Sequence, residues 1–121
     1  MTVLDASALL AFLQGEPGVD TVRDLLGGDT RCGAANWAET AQKIRRRGGD
    51  WFLASALLDN WGLSVEPVTQ ADAEWAAARW RRSENLSLGD RLCLALGERL
   101  GAEIWTADRE WEGLDRVRLI R

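Results

Sequence analysis

An α/β domain built on a largely parallel sheet is what this sequence predicts, and three observations carry that expectation. Short β-type segments alternate with longer stretches that are apolar at helical spacing. Glycine, proline and capping residues punctuate the joins between them. Apolar residues make up 46% of 121 positions, enough for one domain, residues 1–121, to bury a core without metal or disulfide staples.

Thr2–Leu4 reads as a short strand running straight into Asp5. Ala6–Leu13 is apolar at helical spacing, and Gly15-Glu16-Pro17-Gly18 ends it. Val19–Leu26 is a second short helix stopped by Gly27-Gly28, and Thr30–Ala34 is a strand. Asn36 opens a helix to about Arg46, and Asp50 opens another to about Asn60, closed by Gly62. Ser64–Val68 is strand-like. Thr69-Gln70-Ala71-Asp72 has the form of an N-cap with an acidic third residue, and the alanine-rich helix behind it is expected to reach about Arg82. Ser87 caps the next helix, which ends near Leu100-Gly101. Glu103–Thr106 and Val117–Ile120 finish the chain as strands. No internal repeat or linker interrupts this order.

Composition narrows the chemistry. The chain contains no histidine. That removes Ser/His/Asp and Cys/His machineries, the usual zinc sites and histidine acid–base cleavage of RNA. Hydrolysis here has to rest on carboxylates, hydroxyls and a hard metal ion. Cys32 and Cys93 have no CxxC spacing and read as reduced, buried small residues. No apolar run approaches the roughly 20 residues needed to cross a bilayer, so a soluble, cytoplasmic protein is expected. The net charge of -4 is unpromising for a nucleic-acid binder, yet all of the 15 basic residues except Lys43 are arginine. The guanidinium fork suits phosphate. The clusters Arg45-Arg46-Arg47 and Arg81-Arg82 read equally well as phosphate contacts or as solvated helix ends.

Four acids share an unusual placement. Asp5 and Asp108 follow expected strands, whereas Glu39 and Asp90 lie in the first turns of expected helices. In an open α/β sheet, strand C-termini and helix N-termini meet on one edge, where ligands bind. A plainer account stands beside this one. Asn36-x-x-Glu39 and Ser87-x-x-Asp90 fit capping boxes, and Asp5 and Asp108 can cap short helices. Spacing alone does not choose between them.

The segments VLDASALLAFLQGEPG, NWAET, LSLGDRLCLALGERLG and TADREW resemble, in order and spacing, the successive motifs of the PIN-domain family, specifically its VapC-type toxin ribonucleases. They run from residue 3 to 111. The resemblance implies a PIN-like three-layer fold, a mostly parallel sheet flanked by helices. It sets the family's acids on Asp5, Glu39, Asp90 and Asp108, with accompanying hydroxyls on Ser7 and Thr106. It also implies an endoribonuclease that acts on RNA, a homodimer, and a cognate antitoxin whose peptide wraps the toxin and blocks its cleft. Other readings are a PIN nuclease of RNA processing or turnover without an antitoxin, and a catalytically silent binding module. Four carboxylates in one cleft repel one another unless a cation neutralises them, and an all-oxygen donor set favours Mg²⁺ or Mn²⁺. Asp5 and Asp90 are expected to bind metal directly and Asp108 directly or through water, with Glu39 orienting or deprotonating the attacking water.

Arg91 and Arg109 neighbour two of these acids and read equally as phosphate contacts or as their ion-pair partners. Of seven tryptophans, Trp51, Trp61 and Trp105 lie among apolar neighbours and are expected in the core. Trp37, Trp75, Trp80 and Trp111 flank charged residues and suit an interface. Trp75 and Trp80 favour a protein partner, lying on a helix away from the acidic motifs.

Overall fold

The computed structural model describes residues 1–121. Its elements are β1 (Thr2–Leu4), α1 (Ala6–Gln14), α2 (Val19–Leu26), β2 (Thr30–Gly33), α3 (Ala34–Arg46), α4 (Trp51–Asn60), β3 (Ser64–Glu66), α5 (Gln70–Ala78), α6 (Leu88–Leu100), β4 (Glu103–Thr106), a 3₁₀ turn (Arg109–Trp111) and β5 (Val117–Leu119). The five strands form one sheet in the order β3-β2-β1-β4-β5, every pair parallel. From β1 the chain builds outward to β2 and β3, then returns across to β4 on the other side of β1. The winding reverses between β1 and β4, and in open α/β sheets ligand crevices form outside the C-terminal ends of strands at such a point.

Alternation along β1 sorts the core into two layers. Val3 faces a cluster with Cys93, Leu94, Leu96, Ile104, Trp111 and Val117, beneath α6. Leu4 faces the opposite cluster of Leu9, Val22, Leu26, Cys32, Leu58 and Leu63, beneath α1, α2 and α4. Both cysteines are free and buried. On the α6 side the approach is close: a Cβ built on Gly97 would lie 2.3 Å from Ile104 Cδ1. Gly97→Ala is therefore expected to cost about 1–3 kcal/mol, the usual penalty of overpacking. An unchanged midpoint in urea denaturation would show that the β4 layer yields instead.

Several expectations shift in detail. The third helix begins at Ala34 with Gly33 as its N-cap, not at Asn36, because β2 turns directly into it. β3 stops at Glu66, before Pro67, which has no N–H for a ladder. The fifth helix ends at Ala78 rather than near Arg82. Arg79 there forks onto Glu84 at 2.6 and 3.0 Å, and Ser83 takes a left-handed φ of 69°, so the chain doubles back. At its start, Thr69 and Asp72 form the expected capping box.

The tryptophans divide differently from expectation. Trp111, flanked by charges in sequence, is fully buried, whereas Trp61 is exposed and Trp51 and Trp105 are only half-buried. Local composition fails for Trp111 because the 3₁₀ turn tucks its ring under α6 while Arg109 and Glu110 stay outside. Trp75 packs half-buried against the same cluster, and Trp80 is 56% exposed.

Candidate active site

Asp5 leaves β1 and caps α1, its Oδ1 accepting the Ala8 amide at 2.9 Å. The same oxygen accepts Ser7 Oγ at 2.7 Å, and Oδ2 accepts Thr106 Oγ1 at 2.6 Å. The hydroxyl directions follow from their other partners. Ser7 Oγ receives the Ala107 amide at 2.9 Å, and Thr106 Oγ1 receives the Asp108 amide at 3.0 Å. An amide can only donate, so each hydroxyl accepts there and keeps its single proton for Asp5. The network joins the ends of β1 and β4 across the crevice and fixes the Asp5 carboxylate in one orientation. Burial pushes its pKa up to about 6; the three hydrogen bonds pull against that rise, and the charge of Asp90 adds to it.

Asp90 sits at the third position of α6. Its Oδ2 accepts the Ser87 amide at 2.9 Å while its own amide donates to Ser87 Oγ at 3.1 Å, a complete capping box. Burial raises its pKa; the Ser87 contacts lower it, and the charges of Glu39 and Asp108 raise it again. Asp108 caps the 3₁₀ turn through the Glu110 amide at 2.9 Å. Glu39 is different. With α3 starting at Ala34, it lies in the second turn and caps nothing, so the helix end gives no reason for an acid there. A Cβ built on Gly89 would lie 3.7 Å from Glu39 Oε1, which puts that oxygen against the first turn of α6. Capping and proximity are thus compatible for Asp5, Asp90 and Asp108: each caps a helix or turn, and Asp90 exchanges charge repulsion with Asp5, Glu39 and Asp108.

Two neighbours escaped the motif reading. Asn36 is buried and donates from Nδ2 to the Gly89 carbonyl at 3.4 Å, bracing α3 against α6 between Glu39 and Asp90. Lys43 donates to Glu39 Oε2 at 2.9 Å, and the i, i+4 spacing was the available signal. Of the two arginines singled out, Arg91 turns away from Asp90 and donates to the Ala76 carbonyl at 2.8 Å, closing the C-terminal turn of α5. That backbone acceptor, in place of an ion pair with the acid, corrects the second of its two expected roles. Arg109 is exposed and enters no ion pair.

The donor set suits a hard divalent cation. Asp5, Asp90 and Asp108 have no basic partner, they include no histidine or thiolate, and two of them are held above the usual carboxylate range by burial and mutual charge. No three acidic side chains converge closely enough to enclose an ion by themselves. An ion that keeps much of its water shell and takes one or two carboxylates directly matches this spacing.

Residues 2–117 match the family model of the PIN domain. A VapC ribonuclease of Mycobacterium bovis is 30% identical over 110 residues, covering 82% of this chain and 84% of that protein. Ribonuclease VapC42 of Mycobacterium tuberculosis is 30% identical over the same coverage. Among solved structures, a toxin–antitoxin complex from Klebsiella pneumoniae superposes with a TM-score of 0.80 at 17% identity, covering 100% of this chain and 98% of that one. VapC20 of Mycobacterium tuberculosis, a sarcin-ricin loop cleaving toxin, superposes at 0.77 with 22% identity, covering 98% and 99%.

Proposed function

Since this chain belongs to the PIN-domain family, we propose that residues 1–121 act as one nuclease unit, an endoribonuclease toxin that cuts RNA with Mg²⁺ or Mn²⁺ and is restrained by an antitoxin. The observation that carries the reading is the buried Asp5 carboxylate, gripped by Ser7 and Thr106 and lying in the charge field of Asp90. A fold needing only a helix cap has no use for the desolvation this acid bears, since Asp50 caps α4 at the surface.

Asp5 and Asp90 would hold the ion directly, and Asp108 would do so through water. When bound, the ion supplies positive charge that acidifies water and stabilises charge on the phosphate. The residues supply geometry. Ser7, Thr106 and the Ala8 amide fix the Asp5 carboxylate, whose remaining lone pairs would take the ion. Glu39 Oε1, beside Gly89, orients the attacking water and takes its proton. In-line attack by water breaks the P–O3′ bond, and the departing 3′-oxygen takes a proton from solvent, which leaves a 5′-phosphate and a 3′-hydroxyl. Labelled single-stranded RNA incubated with the protein tests this directly: 2′,3′-cyclic phosphate ends would sink the water mechanism. No helix is long and apolar enough to cross a membrane.

The antitoxin is proposed to lay an apolar helix along α4, where Trp37, Phe52, Ala56, Leu63 and Val65 line an open groove. Phe52 is 79% exposed, more than any other large apolar side chain of the chain. From that helix an arginine or lysine would reach toward Asp5, Glu39 and Asp90. Phe52→Asp is expected to weaken antitoxin binding by about 30-fold, the scale of one aromatic anchor, without reducing cleavage. Unaltered affinity in a titration would move the helix elsewhere. A homodimer is also proposed, with the exposed Trp80 at its contact; a monomer mass in sedimentation equilibrium would remove it.

A further inference from the structure

Lys43 is the single lysine of the chain, and its ammonium is the one cationic group that the fold holds against any of the four site acids. Side chains of an α-helix lean toward its N-terminus, so Lys43 reaches back over the turn bearing Glu39, toward the sheet edge where the acids gather. Its contact with Glu39 Oε2, 2.9 Å long, uses one of three N–H donors. The other two have no protein acceptor, and the side chain is partly exposed. Meanwhile the crevice presents an anionic substrate with carboxylates, and Arg91 has turned to α5.

We propose that Lys43 is a phosphate-positioning residue: it keeps one donor on Glu39 and offers the others to a non-bridging oxygen of the phosphodiester entering the crevice. The inference rests on the reading of the chain as a ribonuclease and adds a residue to it. Two consequences follow from one placement. Glu39 is held beside the first turn of α6 before substrate arrives, because Lys43 pins its other oxygen. The incoming phosphate then meets a cation beside Glu39. A compact ammonium with rotatable donors can bridge two oxygens of different molecules.

The plain alternative is an i, i+4 surface pair that only supports α3. Salt dependence separates the two without any turnover. Binding of a fluorescent mixed-sequence single-stranded RNA 20-mer is measured by anisotropy across a potassium chloride series, with chelator present so that nothing is cut. Each phosphate contact contributes about 0.7 to the slope of log affinity against log salt. Lys43→Ala is expected to lower the magnitude of the slope by about 0.7, and Lys43→Arg to retain it while circular dichroism shows all variants folded. Equal slopes in wild type and Lys43→Ala overturn the proposal and leave the ribonuclease reading standing. Incubation of the same RNA with the wild-type protein and Mg²⁺ tests the ribonuclease reading separately: no cleavage overturns that reading and the proposal with it.

Discussion

Asp5→Asn is expected to lower RNA cleavage by about 10²–10³-fold or more, the scale on which a preorganised charge at a reacting centre acts, while the metal-free protein becomes more stable. The stability half follows from the pKa. A buried carboxyl held at about 6 instead of 3.8 costs the fold about 3 kcal/mol once it is ionised at neutral pH. Asparagine carries no charge to desolvate and keeps most contacts: Oδ1 still accepts from Ala8 and Ser7, and Nδ2 faces Thr106 Oγ1. The hydroxyl of Thr106 has to reverse, so the gain will fall short of the full figure. Asp50→Asn is the control, because Asp50 also caps a helix, through the Leu53 amide at 3.1 Å, and lies exposed outside the crevice. It should leave cleavage untouched and lower stability by at most about 1 kcal/mol. If Asp5→Asn is active, or is inactive only because it unfolds, the acid is a cap and not part of a site.

Removing divalent ions is the second large effect: cleavage should vanish in chelator and return with Mg²⁺ or Mn²⁺. The same acids give this dependence a pH signature. Between about pH 4 and 6 the unfolded chain releases the Asp5 proton while the fold retains it, so metal-free stability falls as pH rises through that window. Asp90, also raised, adds to the fall. The surface acids Asp29 and Glu84, held low by Arg31 and Arg79, act in the opposite sense, so the comparison has to be with Asp5→Asn. The wild-type minus variant difference in urea stability should grow more negative from pH 4 to 6 and level off above. Added Mg²⁺ should shrink that difference at pH 7, because the ion binds the deprotonated carboxylate and stabilises only the fold that forms its site. At limiting metal, cleavage should decline below about pH 6, where protons compete. A difference that does not vary with pH, or cleavage that persists in chelator, would remove Asp5 from metal binding.

These outcomes bear on different parts of one arrangement. Under the proposed function, Asp5 and Asp90 would answer for the ion, Glu39 for the water, and the α4 groove for the partner. A loss confined to antitoxin affinity in Phe52→Asp, with cleavage intact, would separate the control surface from the chemistry.

Much of this molecule was legible from order along the chain. The alternation of strands and helices, the Asp5 and Ser87 caps and the glycine stops are local, and local hydrogen bonding and steric limits enforce them wherever the segment ends up. The four motifs, by their order, led to the family that residues 2–117 match. Sequence could not decide what depends on partners distant in the chain. Thr106 commits its proton to Asp5 only because β4 is laid beside β1, 101 positions away in sequence. Arg91 leaves Asp90 because the end of α5 offers it a carbonyl. Trp111 is buried despite charged neighbours because a turn rotates one ring inward while its flanks stay in water. Glu39 caps nothing because β2 passes straight into α3 and moves the helix start two residues ahead of Asn36. Local rules fix which groups need a partner; only the packing of β1, β4 and α6 decides which partner each one gets.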